Sequence, residues 1–337
     1  MTTPANTTFV CCIEPGTLEP MTLRLLESLR RHGGRFADAR FIACQPRLGT
    51  PLSQATRERL KELNGEFVHL WRPRAFGWYH YLNKAASLRQ LDASITTEWV
   101  TFLDSDTLIA REPSEFVAED VDFLACPPDD GLVGSRGPED LWDPTWIRIF
   151  GALGLAASDV PFIKEYNTGK DIRLYFNSGA FSYRKNTGFS QQYWSCVRTV
   201  LKENIGFPTF YEHYTDQVVL GLTALKMGLR WRALSVGYNL AVDQPVATLS
   251  DRNLASATLL HYHKGLTGEG DALLSRLRQT HPDLAAWLEP LGPISDPRSR
   301  VPFLAGEGLR VARGFPRALY RRRLREALKG DHGAAAT

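Results

Sequence analysis

Long apolar segments are missing from this sequence of 337 residues. Nowhere does it approach the run of about 20 apolar residues that a membrane-spanning helix requires. The N-terminal stretch Met-Thr-Thr-Pro-Ala-Asn-Thr-Thr also lacks the basic and apolar regions of a secretory signal peptide. We therefore expect neither a membrane-spanning protein nor one that is secreted by a signal peptide.

Cysteine is scarce, and its pattern argues against two common roles. The five cysteines are an odd number, and none forms the Cys-x-x-Cys pair that is typical of metal and redox sites. Most of them lie within apolar segments, which predicts reduced side chains in the core and a cytoplasmic protein. These residues are Cys11, Cys12, Cys44, Cys126 and Cys196.

A strong excess of charge is missing as well. The formal net charge is only +3, so the molecule as a whole is not an electrostatic binder of nucleic acid. With 43% hydrophobic and 23% charged residues, the composition is typical of a globular protein with a sizeable core.

Basic residues concentrate near the C-terminus instead. Residues 298–329 contain ten basic and two acidic residues. One face of a helix there would carry Leu319, Tyr320, Leu324 and Leu328, which suits peripheral contact with an anionic membrane; a solvated surface helix is the alternative. We expect residues 290–337 to form a basic C-terminal helical tail, attached to a domain that spans residues 1–289.

Short apolar segments alternate with helical patterns in the first hundred residues. Strand-like segments occupy 8–13, 40–44, 67–71 and 99–103, and helix-like spacing occupies 21–32, 54–63 and 83–91. Further strands are predicted at 122–126, 175–183 and 259–263, and further helices at 146–155, at 190–203 and from 215 onward. This order predicts an α/β protein with a Rossmann-like, mixed but mostly parallel sheet, in which ligands bind beyond the carboxyl ends of the strands.

Two carboxylates directly follow the fourth predicted strand, in Asp104-Ser105-Asp106. Mg²⁺ and Mn²⁺ prefer oxygen ligands and are usually bound by one or two carboxylates together with substrate phosphates. The motif therefore predicts a divalent-cation site at the edge of the sheet. It also resembles the nucleophile motif of haloacid-dehalogenase-type phosphatases, in which Asp104 would be the nucleophile.

Three further motifs follow in order: Asn177-Ser178-Gly179 in a predicted strand, Asp216-Gln217 at a helix start, and His261-Tyr262-His263 after a late strand. Together with Asp-Ser-Asp, they resemble the family 8 nucleotide-sugar glycosyltransferases, the glycogenin-like and bacterial galactosyltransferase-like enzymes. The resemblance covers roughly residues 8 to 270 and implies a single GT-A domain.

The resemblance also implies roles for individual residues. Asp104, Asp106 and either His261 or His263 would bind Mn²⁺ or Mg²⁺, and Asn177, Asp216 and Gln217 would form the catalytic centre. The nucleotide-sugar donor, expected to be a UDP-sugar, would contact Ile13, Glu14, Gly16, Asn83, Lys84, Ser105, Gly179 and Lys264. The acceptor would be a hydroxyl of a glycan or glycolipid, in surface polysaccharide assembly at the inner membrane face.

Gln217 is a poor nucleophile, so the resemblance implies retention of configuration by attack on the face that the diphosphate leaves. An inverting enzyme would instead need a carboxylate base, for which Asp143, Glu165 and Glu212 are candidates. A phosphatase and a non-catalytic nucleotide-sugar binding protein are the alternative functions that the sequence leaves open.

Overall fold

The computed structural model describes residues 6–70, 75–129, 132–242, 251–267 and 271–334. Within these ranges the strands are β1 Thr7–Cys12, β2 Arg40–Gln45, β3 Gly65–His69, β4 Trp99–Leu103, β5 Thr107–Ile109, β6 Phe123–Cys126, β7 Phe162–Lys164, β8 Asp171–Arg173, β9 Asn177–Arg184, β10 Trp231–Ala233, β11 Leu240–Ala241 and β12 Leu259–His261. The α-helices are α1 Leu18–His32, α2 Gln54–Glu62, α3 Leu82–Leu91, α4 Asp143–Leu153, α5 Phe189–Lys202, α6 Thr215–Lys226, α7 Asp251–Ser256, α8 Asp271–Thr280, α9 Pro282–Leu288 and α10 Arg300–Ala334.

Seven strands form the main sheet, in the order β10-β6-β9-β4-β1-β2-β3. All neighbouring pairs are parallel except the two that β9 makes with β4 and β6. The prediction of an α/β protein with a mixed, mostly parallel sheet is therefore confirmed. The antiparallel direction of β9 brings its amino end, at Asn177, to the edge where β1 and β4 end.

A second sheet, in the order β11-β12-β5, was not predicted from the sequence. Its strand β5 begins directly after Asp106 and pairs antiparallel with β12, so that His261 lies opposite Thr107. The predicted strand 259–263 is shorter in the structure, since β12 ends at His261. His263 has a φ of 42°, in the left-handed region, so the chain has left the extended conformation there.

The core lies on both faces of the main sheet. One cluster packs α3, α4, α5 and α6 against it, and a second packs α1 and α2 on the other face. The five cysteines are free thiols, and all except Cys12 are buried, as the sequence predicts. Among the described residues, no helix combines the length and the apolar character needed to cross a bilayer.

Helix α10 packs back onto the domain. Tyr320 and Leu324 are buried in the core cluster that contains α3 and α6. Of the predicted apolar face, Tyr320, Leu324 and Leu328 pack against the domain, whereas Leu319 is exposed. Leu319 belongs to a row of exposed apolar side chains that faces outward along α10: Val301, Leu304, Val311, Phe315 and Leu319.

Candidate active site

A cavity of about 400 Å³ lies where β1 and β4 end and β9 begins. Its lining combines carboxylates, amides, imidazoles and aromatic rings. The lining residues are Tyr81, Lys84, Asp104, Asp106, Pro128, Asp129, Leu132, Tyr175, Asn177, Ser178, His213, Tyr214, Asp216, Gln217, His261 and His263. All four sequence motifs thus meet in one place.

Asp104, Asp106 and His261 form a cluster at the floor of this cavity. One potential ligand atom from each of the three lies within 4.8 Å of the others. His261 Nε2 is 3.2 Å from Asp106 Oδ1, a contact that the pairing of β5 with β12 creates. Two carboxylate oxygens and an imidazole nitrogen suit Mn²⁺, which accepts both ligand types.

His263 lies beside this cluster and also lines the cavity. Its ring stacks on that of His261, with 3.9 Å between ring centroids and an interplanar angle of 30°. In the described part of the chain, the metal-type cluster contains His261 and not His263. This geometry favours His261 as the third ligand.

The charges in the cluster shift one another's pKa values. Burial raises the pKa of the Asp104 carboxyl, and Asp106 adds to this effect, against the opposing charge of Lys84. Burial also acts on Asp106, but attraction and hydrogen bonding from His261 outweigh it and lower its pKa. The pKa of His261 is raised in spite of burial, because the Asp106 carboxylate stabilises the imidazolium.

Lys84 is a buried cation between two motifs. Its Nζ donates to Asp104 Oδ2 at 3.0 Å and to Ser178 Oγ at 2.8 Å, and lies 3.6 Å from Asp216 Oδ2. Burial opposes the ammonium charge, but the carboxylates of Asp104 and Asp216 raise the pKa of Lys84 above its ordinary value. From the sequence, Lys84 was expected only to contact the nucleotide-sugar donor. Its position between Asp104 and Asp216 was not predicted.

Asp216 and Gln217 begin α6 and face the cavity differently. The Asp216 carboxylate is buried and accepts hydrogen bonds from Tyr79 OH at 2.9 Å and from Ser178 Oγ at 3.0 Å. Gln217 is half-buried, and its Nε2 donates to Tyr175 OH at 2.5 Å. Asp216 is therefore tied to the protein by both oxygens, whereas Gln217 presents its amide at the cavity wall.

Gly179 lies where β9 passes the metal-type cluster. A Cβ at this position would lie 3.0 Å from Asn239 Oδ1, 3.1 Å from Asn177 Oδ1 and 3.1 Å from His261 Cε1. The backbone also supports its neighbours, since Gly179 N donates to Asn177 Oδ1 at 2.8 Å and Asp104 N donates to Gly179 O at 2.8 Å. Glycine allows this close approach.

We expect Gly179→Ala to weaken Mn²⁺ binding by about tenfold, because the added methyl group displaces His261 or Asn177. Isothermal titration of the purified protein with Mn²⁺ measures this change. Gly151→Ala is the matched control, since a Cβ at Gly151 in α4 meets no atom within 4 Å. Equal Mn²⁺ affinity in the two variants would contradict the prediction.

Several residues assigned to the donor are not in the wall of the cavity. Glu14 accepts hydrogen bonds from Arg47, at 2.6 Å from Nη2 to Oε2, and from Asn83 Nδ2 at 2.9 Å. Ile13 is buried, and Ser105 Oγ donates to Cys12 O at 2.6 Å. Gly16 and Lys264 are also absent from the cavity lining, and Lys264 is exposed.

The three candidate bases named from the sequence lie outside the cavity lining. Asp143 is buried in an ion pair with Arg173, at 2.6 Å from Oδ1 to Nε. Glu165 accepts from Thr168 N at 3.0 Å. Glu212 is fully buried and paired with arginines of α10. None of the three therefore lies in the wall of the cavity.

Much of the aromatic wall of the cavity was not predicted from the sequence. Tyr81, Tyr175, His213 and Tyr214 line the cavity, as does Asp129. The only available signal was local: aromatic residues cluster just before the predicted helix at 83–91 and just before Asp216-Gln217.

Comparison with known proteins gives a family match. The family model described as the Rhodobacterales glycosyltransferase domain matches residues 9–228. No curated protein matches the chain. Among solved structures, the chain is similar to the apo structure of the bifunctional glycosyltransferase WbbM, at 12% identity and a TM-score of 0.45. The match covers 85% of this chain and 52% of that one, so the chain spans about half the length of WbbM.

Proposed function

Because the chain belongs to the Rhodobacterales glycosyltransferase domain family and is a glycosyltransferase, we propose that it is a metal-dependent hexosyltransferase. It moves a hexose from a nucleoside-diphosphate sugar, a UDP-sugar in our proposal, to a hydroxyl of a glycan or glycolipid. The observation that carries this proposal is the cluster of Asp104, Asp106 and His261 at the floor of the 400 Å³ cavity. The fold is of the GT-A type in this proposal, and the enzyme is of the family 8 kind.

Asp104, Asp106 and His261 would hold Mn²⁺ or Mg²⁺. The bound ion would supply positive charge that stabilises the departing diphosphate. Lys84 holds the Asp104 carboxylate in place through its 3.0 Å hydrogen bond, and it adds a buried positive charge to the same region. The loop Ile13–Gly16 with Asn83 would meet the base, and Lys264 would approach the phosphates from the rim.

The sugar would lie against Asn177, Gln217 and the aromatic wall. Amide oxygens of Asn177 and Gln217 can stabilise an anomeric carbon that becomes oxocarbenium-like. Asp216 would affect the anomeric centre only indirectly. Its carboxylate accepts hydrogen bonds from Tyr79 and Ser178 and lies beside the ammonium group of Lys84.

The proposed outcome is retention. Asp143, Glu165 and Glu212 do not line the cavity. The carboxylate of Asp216 already accepts hydrogen bonds from protein side chains. The leaving phosphate would then take the acceptor proton on the same face. Asp129 also lines the cavity, so an inverting product would point to Asp129 as the base.

Incubation with a panel of nucleotide sugars and Mn²⁺, followed by proton NMR, tests both parts of the proposal. We expect one donor to be consumed, with release of its nucleoside diphosphate and a sugar product of unchanged anomeric configuration. A chelator should stop the reaction. Turnover of no donor would refute the proposal, and release of phosphate from simple phosphomonoesters would favour the phosphatase instead. An inverted product would refute retention alone.

We also propose that the outward face of α10 contacts an anionic membrane surface, which would place the enzyme near a glycolipid acceptor. The exposed apolar side chains of this face, among them Val311 and Phe315, are followed by the exposed Arg322, Arg323 and Arg325. Apolar and basic side chains on one exposed helix suit binding to anionic headgroups.

Sedimentation with phosphatidylglycerol-containing vesicles tests the membrane contact. Val311→Ser combined with Phe315→Ser should reduce vesicle binding by about tenfold, because two apolar side chains no longer insert. Leu141→Ser is the control, as Leu141 is 74% exposed but lies elsewhere. Equal vesicle binding by the two variants would contradict the proposal. Wild-type binding that does not depend on the charge of the lipids would contradict it as well.

A further inference from the structure

Glu212 is a fully buried carboxylate just outside the cavity. Two arginines of α10 hold it: Arg317 Nε donates to Oε1 at 2.8 Å, and Arg321 Nε donates to Oε1 and Oε2 at 3.0 Å each. Burial acts to raise the pKa of Glu212, but the hydrogen bonds from Arg321 and Arg317 help to hold it below its ordinary value. The buried negative charge of Glu212 is thus compensated by α10, a helix that begins some ninety residues later in the chain.

Removing the partners of a buried charge leaves it uncompensated, which is strongly unfavourable. The segment around Glu212 therefore keeps this conformation only while α10 is docked. Other contacts join the same surfaces, since Leu324 Cδ2 packs at Gly206 and the guanidinium of Arg321 lies over the ring of Tyr211 at 5.1 Å.

Glu212 immediately precedes residues that line the cavity. Its carbonyl oxygen accepts from Thr215 N at 3.2 Å, at the first turn of α6, which carries Asp216 and Gln217. The next residue, His213, lies in the cavity wall with its Nε2 3.1 Å from Tyr81 OH. A displacement of Glu212 would consequently move side chains on two sides of the cavity.

A second contact of α10 reaches the opposite part of the wall. The ring of Tyr320 lies 4.9 Å from that of Trp78 and 6.3 Å from that of Phe76. The chain continues from Trp78 into Tyr79, which donates to Asp216 Oδ1 at 2.9 Å, and into Tyr81 of the cavity wall. The same helix thus holds the segments before α3 and before α6.

We propose that α10 is a positioning element of the active site. Arg317 and Arg321 act through Glu212, and Tyr320 acts through Trp78, to fix the wall formed by Tyr81, His213 and Tyr214. The catalytic consequence rests on the proposed function, whereas the mechanical link does not.

Hydrogen exchange followed by mass spectrometry tests the mechanical link without any substrate. Arg317→Gln combined with Arg321→Gln should accelerate amide exchange about tenfold or more in residues 205–218 and 76–84. Arg322→Gln combined with Arg323→Gln is the matched control, since both residues are exposed on the same helix. Unchanged exchange in both segments of the first variant would overturn the proposal.

Glu212→Gln is the second variant, because it removes the charge with which Arg317 and Arg321 pair and keeps the size of the side chain. We expect intermediate acceleration in residues 205–218. Restoring positive charge with Arg317→Lys and Arg321→Lys should return exchange most of the way to wild type. Exchange as fast in the lysine variant as in the glutamine variant would contradict an electrostatic role for the two arginines.

Donor turnover supplies the functional readout. In the Arg317→Gln, Arg321→Gln variant, kcat should fall about tenfold, while the Kd for Mn²⁺ stays within about twofold of wild type, since Asp104, Asp106 and His261 lie outside the two segments that α10 holds. An unchanged kcat would refute the positioning role. If the wild type turns over no donor, the proposed function fails, and the exchange experiment still decides the mechanical link.

Discussion

Asp106→Asn is expected to lower Mn²⁺ affinity and donor turnover by about a hundredfold or more. The substitution keeps the size of the side chain but removes the charge that faces His261 at 3.2 Å. It takes one of two carboxylates from the cluster, so the remaining Asp104 and His261 would hold the ion weakly. Mn²⁺ titration calorimetry measures the affinity, and release of nucleoside diphosphate measures the turnover.

Asp129→Asn is the matched control for metal binding, because Asp129 lines the same cavity but lies outside the cluster. Its Mn²⁺ affinity should stay within about threefold of wild type, as expected for a charge screened by solvent. If Asp106→Asn binds Mn²⁺ as tightly as this control, Asp106 is not a ligand.

Lys84→Met is expected to lower the free energy of unfolding by about 3 kcal/mol in metal-free protein. The ammonium is buried and lies near both Asp104 and Asp216, and Asp216 has only 2% of its side chain exposed. Without Lys84, two acidic groups face each other in a poorly solvated site. Urea unfolding in the presence of a chelator measures the loss.

Lys164→Met provides the control, since Lys164 pairs with Asp171 at 2.8 Å on the surface, where the side chains are 67% and 59% exposed. An exposed ion pair of this kind contributes less than about 1 kcal/mol. Added Mn²⁺ should recover part of the stability of Lys84→Met, because the cation offsets the charge of Asp104. A loss below about 1 kcal/mol in metal-free Lys84→Met would contradict the role of Lys84 as a counter-charge.

The main sheet could be predicted because strands that are buried on both faces are continuous apolar runs. This applies to β1 and β4, whose ends place Asp104 and Asp106 at the ligand-binding edge. Strand β5 has three residues, too few for any pattern to emerge, and its pairing with β12 joins residues about 150 positions apart. The place of His261 beside Asp106 depends on that pairing, so the sequence left His261 and His263 as alternatives.

The positions of Lys84 and Glu212 could not be predicted from the sequence either, because their partners are also distant in the chain. Lys84 lies in a predicted helix, and a helical pattern gives no reason to place a lysine between Asp104 and Asp216. Glu212 was considered only as a base, because its partners Arg317 and Arg321 belong to a segment that was expected to form a tail. Charges that pair across the fold leave no local trace.

We propose above all that Asp104, Asp106 and His261 bind the metal of a nucleotide-sugar transferase. The most direct measurement is anomalous diffraction from crystals soaked with UDP and Mn²⁺. We predict one manganese peak bonded to oxygens of Asp104 and Asp106, to Nε2 of His261 and to the diphosphate. A peak bound elsewhere, or bound UDP with no manganese at these three side chains, would contradict the claim.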